Sequence, residues 1–130
     1  MTNIPESHRD LIEKNQIVIL STIGPASEPQ TTALWFLFED DLIKLSLNTS
    51  RQKLKNLKRN PAYSAIFVDP GNPYRTIELR GTATVEPDPD YVVADKVGKK
   101  YGSDLRDMDQ PGESRSAVTL HIEKVHTFGN

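Results

Sequence analysis

The chain has 130 residues, with 16 Lys and Arg against 18 Asp and Glu and a formal net charge of -2. This length suits a single domain spanning residues 1–130, and the slightly acidic balance argues against a general nucleic-acid-binding protein, whose surface would be basic. Because there is no Cys, disulfides, thiol nucleophiles and cysteine zinc sites are excluded, and no apolar run approaches the roughly 20 residues that cross a membrane.

The amino-terminal segment, MTNIPESHRDLIEK, contains no apolar core of signal-peptide length, so the expected location is the cytoplasm. A short charged helix is predicted here, with Ser7 as candidate N-cap, Leu11 and Ile12 as its apolar residues, and an end at Asn15 and Gln16. The β-branched run that follows, IVILST, predicts the first strand.

The next two strands are predicted from turn residues and from alternation. GPASEP separates the first strand from QTTALWFLFE, which is interpreted as one strand beginning at Gln30, with Trp35 and Phe36 packing on its two faces. After a turn at Asp40 and Asp41, the stretch LIKLSLN alternates aliphatic and polar residues, so it predicts a half-buried strand.

A cluster of positive charge follows in the stretch SRQKLKNLKRNP, which predicts a helix that ends before Pro61. At about 100° per residue, Leu54 and Leu57 form an apolar stripe, whereas Lys53 flanks that stripe and points toward the body of the protein. The other cations of this stretch face solvent or continue the basic surface: Arg51, Lys55, Lys58 and Arg59.

The start of this helix predicts an anion site. With Ser50 as N-cap, Arg51 and Lys53 lie in the first turn, where free backbone N–H groups and the helix dipole already favour an anion. Ser46 and Asn48, on the preceding strand, add hydrogen-bond donors, so a phosphate would satisfy the whole set. A purely solubilising basic face and a local nucleic-acid patch are the alternatives.

The rest of the chain predicts two more long strands and a helix. AYSAIFV is a strand, DPGNP a turn, and RTIELRGTATV a strand with a bulge or bend at Gly81. An amphipathic helix begins at Asp88 and Pro89, carries a stripe through Val97, and stops at Gly102. SDLRDMDQPGES is interpreted as a loop and SAVTLHIEKVHTF as the last strand. The inward side chains of the RTIELRGTATV strand are predicted to be Ile77, Leu79, Gly81, Ala83 and Val85.

About six strands and three short helices predict a mainly β (α+β) fold, a six-stranded antiparallel barrel with short peripheral helices. No catalytic motif stands out: there is no G-x-S-x-G, P-loop or G-x-G-x-x-G sequence. His121 and His126 are five residues apart on one strand, hence predicted on opposite faces, so no metal site is expected.

The order of strand, RQKLKNLKRNP, strand, DPGNPYRTIELRGTATV, helix and closing VTLHIEKV resembles the split-barrel flavin-binding proteins related to pyridoxamine 5'-phosphate oxidase. Within that superfamily the chain is most similar to the deazaflavin reductases that use coenzyme F420. This resemblance, which covers residues 17 to 125, implies a split β-barrel of the flavin-reductase type and a homodimer with its cofactor sites at the interface.

The resemblance also implies which residues contact the cofactor, by their position in the sequence. Ser46, Arg51 and Lys53 become the phosphate contacts, beside Asn48, and Asn56 holds the loop. A strand beside the ring system, and an aromatic wall near its face, complete the implied site: Gln30, Thr31, Thr32 and Tyr74. The sequence departs from the relatives at Ala33, where they frequently have Pro or Asn, which leaves no ring contact from that side chain.

The activity implied is hydride transfer from reduced coenzyme F420 to an unsaturated small molecule, with the protein supplying orientation and a dry pocket. Catalytic side chains and the substrate are not identified by the sequence. An FMN-dependent oxidase or reductase of the same fold is one alternative. A non-catalytic flavin-binding or haem-binding protein is another, and haem binding would require His121 to face the pocket.

Overall fold

The computed structural model describes residues 4–130, which form one seven-stranded sheet in which every paired strand is antiparallel. The sheet order is β2-β1-β5-β6-β7-β4-β3. The strands are β1 Val18–Ile23, β2 Pro29–Leu34, β3 Leu37–Glu39, β4 Leu42–Asn48, β5 Ala62–Asp69, β6 Asn72–Pro87 and β7 Arg115–Phe128. The helices are α1 Asp10–Glu13, α2 Gln52–Arg59 and α3 Val92–Tyr101, with 3-10 turns at Glu6–His8 and Leu105–Met108. None of the helices within residues 4–130 is long and apolar enough to span a bilayer.

The strand predicted to run unbroken from Gln30 is in fact two strands, β2 and β3, which lie at opposite edges of the sheet. Only Trp35 and Phe36 connect them, and a chain this short spans at most about 11 Å from Leu34 to Leu37. The two edges are therefore drawn together, and the sheet curls into a half-open barrel. This division makes seven strands rather than the six predicted, within the same split-barrel class.

The inside of the curled sheet is the hydrophobic core. Alternate residues of β4 and β6 point into it, and Ile77, Leu79 and Ala83 are buried as predicted, with Val85 half-buried. Phe36, which lies in the connection, is fully buried and meets Phe67 edge to face at a centroid distance of 5.1 Å. The predicted stripe of α2 is buried against the same core: Leu54 and Leu57.

Gly81 lies at a bulge, as predicted, because the register between β6 and β7 shifts between Arg80 and Gly81. The extra residue is on β7, so residues beyond the bulge exchange faces. His121 lies opposite Thr82 and His126 opposite Glu78, and both imidazoles are exposed on the outer face. The prediction that they occupy opposite faces is therefore wrong, because simple alternation fails across a bulge.

Two of the predicted helix starts are displaced. The hydroxyl of Ser7 lies 2.8 Å from Nδ1 of His8 rather than capping α1, which begins later, at Asp10. Asp88 does serve as an acceptor for α3, but its carboxylate binds the N–H groups of residues 92, 93 and 94, so the helix begins four residues after it. Gly102 ends α3 with a φ of 68°, as predicted, and the segment interpreted as a loop contains a 3-10 turn.

The bulge makes a stability prediction for Gly81. A Cβ there would overlap the backbone carbonyl of His121, so Gly81→Ala should lower the free energy of unfolding by about 1–3 kcal/mol. Gly71→Ala is the matched control, because the nearest atom to its Cβ, Oδ1 of Asp69, is 3.5 Å away. Urea denaturation monitored by circular dichroism measures both, and equal stabilities would contradict the bulge geometry.

Candidate functional site

A cleft of about 510 Å³ lies beside the face of β4 that points away from the core. Its walls are the end of β2 with Trp35, the outward residues of β4, the first turn of α2, and the segment from α3 to the start of β7. Closure of the sheet edges brings β2 next to β4, so residues distant in sequence share this space. We refer to it below as the cleft.

Four of the predicted site residues line the cleft together: Ser46, Asn48, Arg51 and Lys53. Ser46 and Asn48 reach it because alternation along β4 sends them to the face opposite Leu45 and Leu47. Arg51 and Lys53 reach it from the start of α2, which directly follows β4. The grouping of these side chains follows from strand alternation and helix periodicity, and their contact with a cofactor stays a prediction.

Three cations line the cleft, and two of them, Arg51 and Lys53, have no counter-ion within residues 4–130. Within residues 4–130 the side chains of Arg51 and Lys53 make no ion pair and no hydrogen bond. Partial burial lowers the pKa of Lys53, and the positive charge of Arg51 lowers it further. An anion placed between these groups would relieve both effects, since it would favour the charged ammonium.

The start of α2 is also open to an external acceptor. The predicted N-cap role of Ser50 is wrong, because its hydroxyl and its backbone N–H both donate to Oδ1 of Asn48, at 2.7 and 3.0 Å. Arg51 occupies the cap position and no side chain caps the helix. The first-turn N–H groups are therefore without a side-chain acceptor, and helix ends of this kind favour anions.

Asn56 holds α2 against the sheet. It is fully buried and donates to Oγ1 of Thr22 at 3.0 Å and to Oε1 of Gln30 at 2.9 Å. Its own Oδ1 accepts from Nε2 of Gln52 at 2.9 Å. Asn56 and Gln30 lie outside the cleft, so within this chain they orient the helix that carries Lys53.

The remaining predicted residues lie away from the cleft. Thr31 faces solvent with its hydroxyl 2.8 Å from that of Ser21, and the neighbouring Thr32 is half-buried on β2. Tyr74 is 75% exposed near the start of β6, whereas the other end of that strand pairs beside the cleft. Within one chain, therefore, Tyr74 contributes nothing to the cleft.

Sequence reasoning missed a buried ion pair in the wall of the cleft. Nε of Arg115 lies 2.9 Å from Oδ2 of Asp109, and their side chains are only 9% and 5% exposed. Burial tends to raise the pKa of Asp109, but hydrogen bonds from Arg115, Tyr91 and Asn48 outweigh it and leave the pKa below its ordinary value. Asp109 lies in the segment interpreted as a loop, and Arg115 comes just before the predicted last strand, so no pattern pointed to them.

Trp35 was predicted as a packing residue and it is also a wall of the cleft. Its indole stacks on Tyr101 with a centroid distance of 4.4 Å and an interplanar angle of 4°. The Tyr101 hydroxyl accepts from the N–H of Phe36 at 3.1 Å, and Nζ of Lys100 donates to the Phe36 carbonyl at 2.8 Å. These contacts fix the connection between the sheet edges and, with it, the position of the indole.

Within the described part of the chain, no group of three or more His, Asp or Glu side chains is placed to hold a metal ion. His121 lies on the outer face of the barrel, outside the cleft, with Nε2 2.7 Å from the hydroxyl of Thr84.

The partly buried, unpaired position of Lys53 predicts a lowered pKa for its side chain. The pKa of Lys53 should lie below the ordinary value for a lysine side chain, because the side chain is partly buried beside the positive charge of Arg51. Inorganic phosphate should raise the pKa of Lys53, since an anion favours the charged form. NMR titration of the lysine side chain, with and without phosphate, measures both effects, and an ordinary pKa that phosphate does not change would contradict this description.

The pyridoxamine 5'-phosphate oxidase family model matches residues 4–129. Among solved structures, an F420 reductase is 30% identical, with 95% of this chain and 98% of that chain covered and a TM-score of 0.82. A conserved hypothetical protein from Mycobacterium tuberculosis is 26% identical, with 96% and 84% covered and a TM-score of 0.79.

A heme storage protein from Vibrio cholerae has the same fold at 14% identity, with 98% of this chain and 96% of that chain covered and a TM-score of 0.76. At that identity the likeness concerns the fold alone. No curated protein sequence gives a significant match.

Proposed function

The chain belongs to the pyridoxamine 5'-phosphate oxidase family, and from this membership we propose that it is an oxidoreductase that binds coenzyme F420 in the cleft. In this proposal the substrate is an unsaturated small molecule, for which the bound reduced coenzyme would supply hydride. The similarity to an F420 reductase at 30% identity over nearly the full length of both chains supports the choice of coenzyme.

The observation that carries the proposal is the pair of unneutralised cations at the uncapped start of α2. Arg51 and Lys53 face a cleft that also contains the hydroxyl of Ser46, and no side chain caps the helix. A partly buried cation without a partner is unfavourable, and Lys53 is such a cation beside the exposed Arg51, so the arrangement favours a bound anion. A phosphate group is the anion that matches two cations, a hydroxyl and backbone N–H donors.

The charge around α2 favours the deazaflavin over FMN. Lys55 and Lys58 extend the positive charge along the exposed face of the helix, beyond the reach of a single phosphate. The coenzyme F420 tail carries additional carboxylates that such a surface would attract, whereas FMN has one phosphate only. FMN remains the alternative cofactor. Haem binding has no supporting contact, because His121 lies outside the cleft.

In this mechanism the side chains of the protein bind and orient the coenzyme and exclude water. Hydride transfer is chemistry that a reduced deazaflavin supplies when bound. Arg51, Lys53 and Ser46 would hold its phosphate, while Asn56 keeps the helix in place. Leu34 and Trp35 line the cleft next to these polar groups, and they would exclude water from a bound ring. No side chain is assigned as a proton donor.

We also propose that the protein is a homodimer. A groove of about 480 Å³ lies on the outer face of the sheet, and its lining includes the aliphatic residues Ile17, Ile19, Ile66 and Val68. In an isolated chain this apolar surface would contact water, whereas a second copy would cover it. Tyr74, exposed and remote from its own cleft, would reach a cofactor site only from a second copy.

Sedimentation at micromolar concentration should therefore give about twice 14.6 kDa. Ile66→Lys, which places a charge in the apolar groove, should shift the protein toward 14.6 kDa. A native monomer that binds cofactor normally would contradict the dimer.

Cofactor titration tests the proposed function. Lys53→Ala should weaken coenzyme F420 binding by roughly tenfold to a hundredfold, because a hydrogen bond to a charged group contributes about 1.5–3 kcal/mol. Lys55→Ala is the control: it removes an exposed lysine two residues further along the same helix and should have a small effect that disappears at high salt. Fluorescence titration of the native chain and both variants with F420, FMN and riboflavin, at low and high salt, makes the comparison.

Two outcomes would contradict the proposal. Tight FMN binding with no detectable F420 binding would establish the alternative cofactor, and equal losses for the two lysine variants would show that the helix is only a basic surface.

A further inference from the structure

The ion pair between Arg115 and Asp109 is an unusual component of a cleft wall. Both residues line the cleft, yet their side chains are 9% and 5% exposed, so the pair is not a solubilising surface feature. Buried ion pairs contribute little net stability compared with apolar residues of similar volume. The pair therefore calls for an explanation in terms of what the cleft binds.

The position of the guanidinium links it to the predicted phosphate contacts. The backbone of Arg115 is paired with Asn48, but its side chain extends back along β4 to Ser46. Nη1 lies 3.4 Å from both the carbonyl oxygen and the Oγ of Ser46. The guanidinium and the Ser46 hydroxyl thus form one continuous polar wall beside the start of α2.

One nitrogen of this guanidinium remains available. Asp109 accepts from Nε, and within residues 4–130 no acceptor is bonded to Nη2. No fully buried side-chain nitrogen in the described residues lacks a partner, so Nη2 is not fully buried. Because Arg115 lines the cleft, a ligand in the cleft is the available acceptor for this nitrogen.

We propose that Arg115 is a third cation for the cofactor phosphate, and that Asp109 positions its guanidinium and moderates its attraction for the anion. This inference rests on the proposed function. Arg115 would donate from Nη2 while Arg51 and Lys53 act from the start of α2. Asp109 is held by hydrogen bonds from Tyr91 and Asn48. It offsets part of the positive charge of Arg115 and fixes the orientation of the guanidinium.

This assignment predicts opposite effects for the two members of the pair. Arg115→Gln should weaken binding of inorganic phosphate and of coenzyme F420 by about tenfold or more. Asp109→Asn keeps an acceptor for its neighbours but removes the negative charge, so it should tighten binding of both several-fold. An ion pair with a purely structural role would not produce tighter binding when its carboxylate is neutralised.

The double variant, Asp109→Asn with Arg115→Gln, separates binding from folding. Arg115→Gln alone leaves a buried carboxylate without its cation and is expected to lower stability. The double variant removes both charges, so urea denaturation should show recovered stability, while phosphate and F420 binding should stay weaker than in the native chain because the donor of Arg115 is missing. Binding is measured through the fluorescence of Trp35, the only tryptophan of the chain and a wall of the cleft.

Three results would overturn the inference. If the double variant bound phosphate and F420 with the affinity of the native chain, Arg115 would only neutralise the charge of Asp109 and would not contact the anion. Weaker binding in Asp109→Asn would mean that its charge does not oppose the anion. Unchanged dissociation constants for phosphate and F420 in Arg115→Gln would mean that the guanidinium does not contact the cofactor phosphate.

Lys53→Ala distinguishes this failure from failure of the proposed function. If Lys53→Ala weakens phosphate and F420 binding but the double variant does not, only the role of Arg115 is wrong. If the native chain binds neither phosphate nor F420, the proposed function and this inference are both wrong.

Discussion

The constraint on which the structure depends is that two strands adjacent in sequence lie at opposite edges of one sheet. Only Trp35 and Phe36 separate β2 from β3, so a flat seven-stranded sheet is impossible and the edges must approach each other. Burial of Phe36, together with the contacts from Lys100 and Tyr101, holds the connection in place. Curling of the sheet is therefore a consequence of connectivity as well as of core packing.

The cleft is a product of this closure. It brings the end of β2 beside β4 and places Trp35 in the same cleft as the start of α2. The buried amide of Asn56 then sets the orientation of α2 by bonding to both β1 and β2. The result is a helix start that presents Lys53 to a partly enclosed space, with no counter-ion for it within residues 4–130.

Much of this arrangement could be predicted because it depends on local periodicity. Alternation along β4 placed Ser46 on the outward face of the strand, and helical periodicity in α2 turned Lys53 toward the body of the protein, as observed. The bulge at Gly81 was also correctly located. The break at Trp35 and Phe36 was missed because apolar residues continue through it, and only long-range pairing divides the strand. The faces of the histidines on β7 were missed for a related reason, since the extra residue belongs to one strand of a pair.

Contacts made by the segment between α3 and β7 could not be predicted from the sequence. The pairing of Asp109 with Arg115, the first residue of β7, depends on how this segment folds back against β4. The displaced N-cap has a similar origin: Asn48 competes successfully for the Ser50 hydroxyl, and propensity alone does not show which partner that hydroxyl takes. Tyr74 was placed by resemblance only, and a single chain does not bring it to the cleft.

A crystal structure of the protein with coenzyme F420 tests the central claim most directly. The account predicts the phosphate within hydrogen-bonding distance of Nζ of Lys53 and Oγ of Ser46, at the N-terminal turn of α2, with the ring system extending along the cleft. A phosphate bound only along the exposed Lys55 and Lys58 face, with the cleft left to solvent, would contradict it.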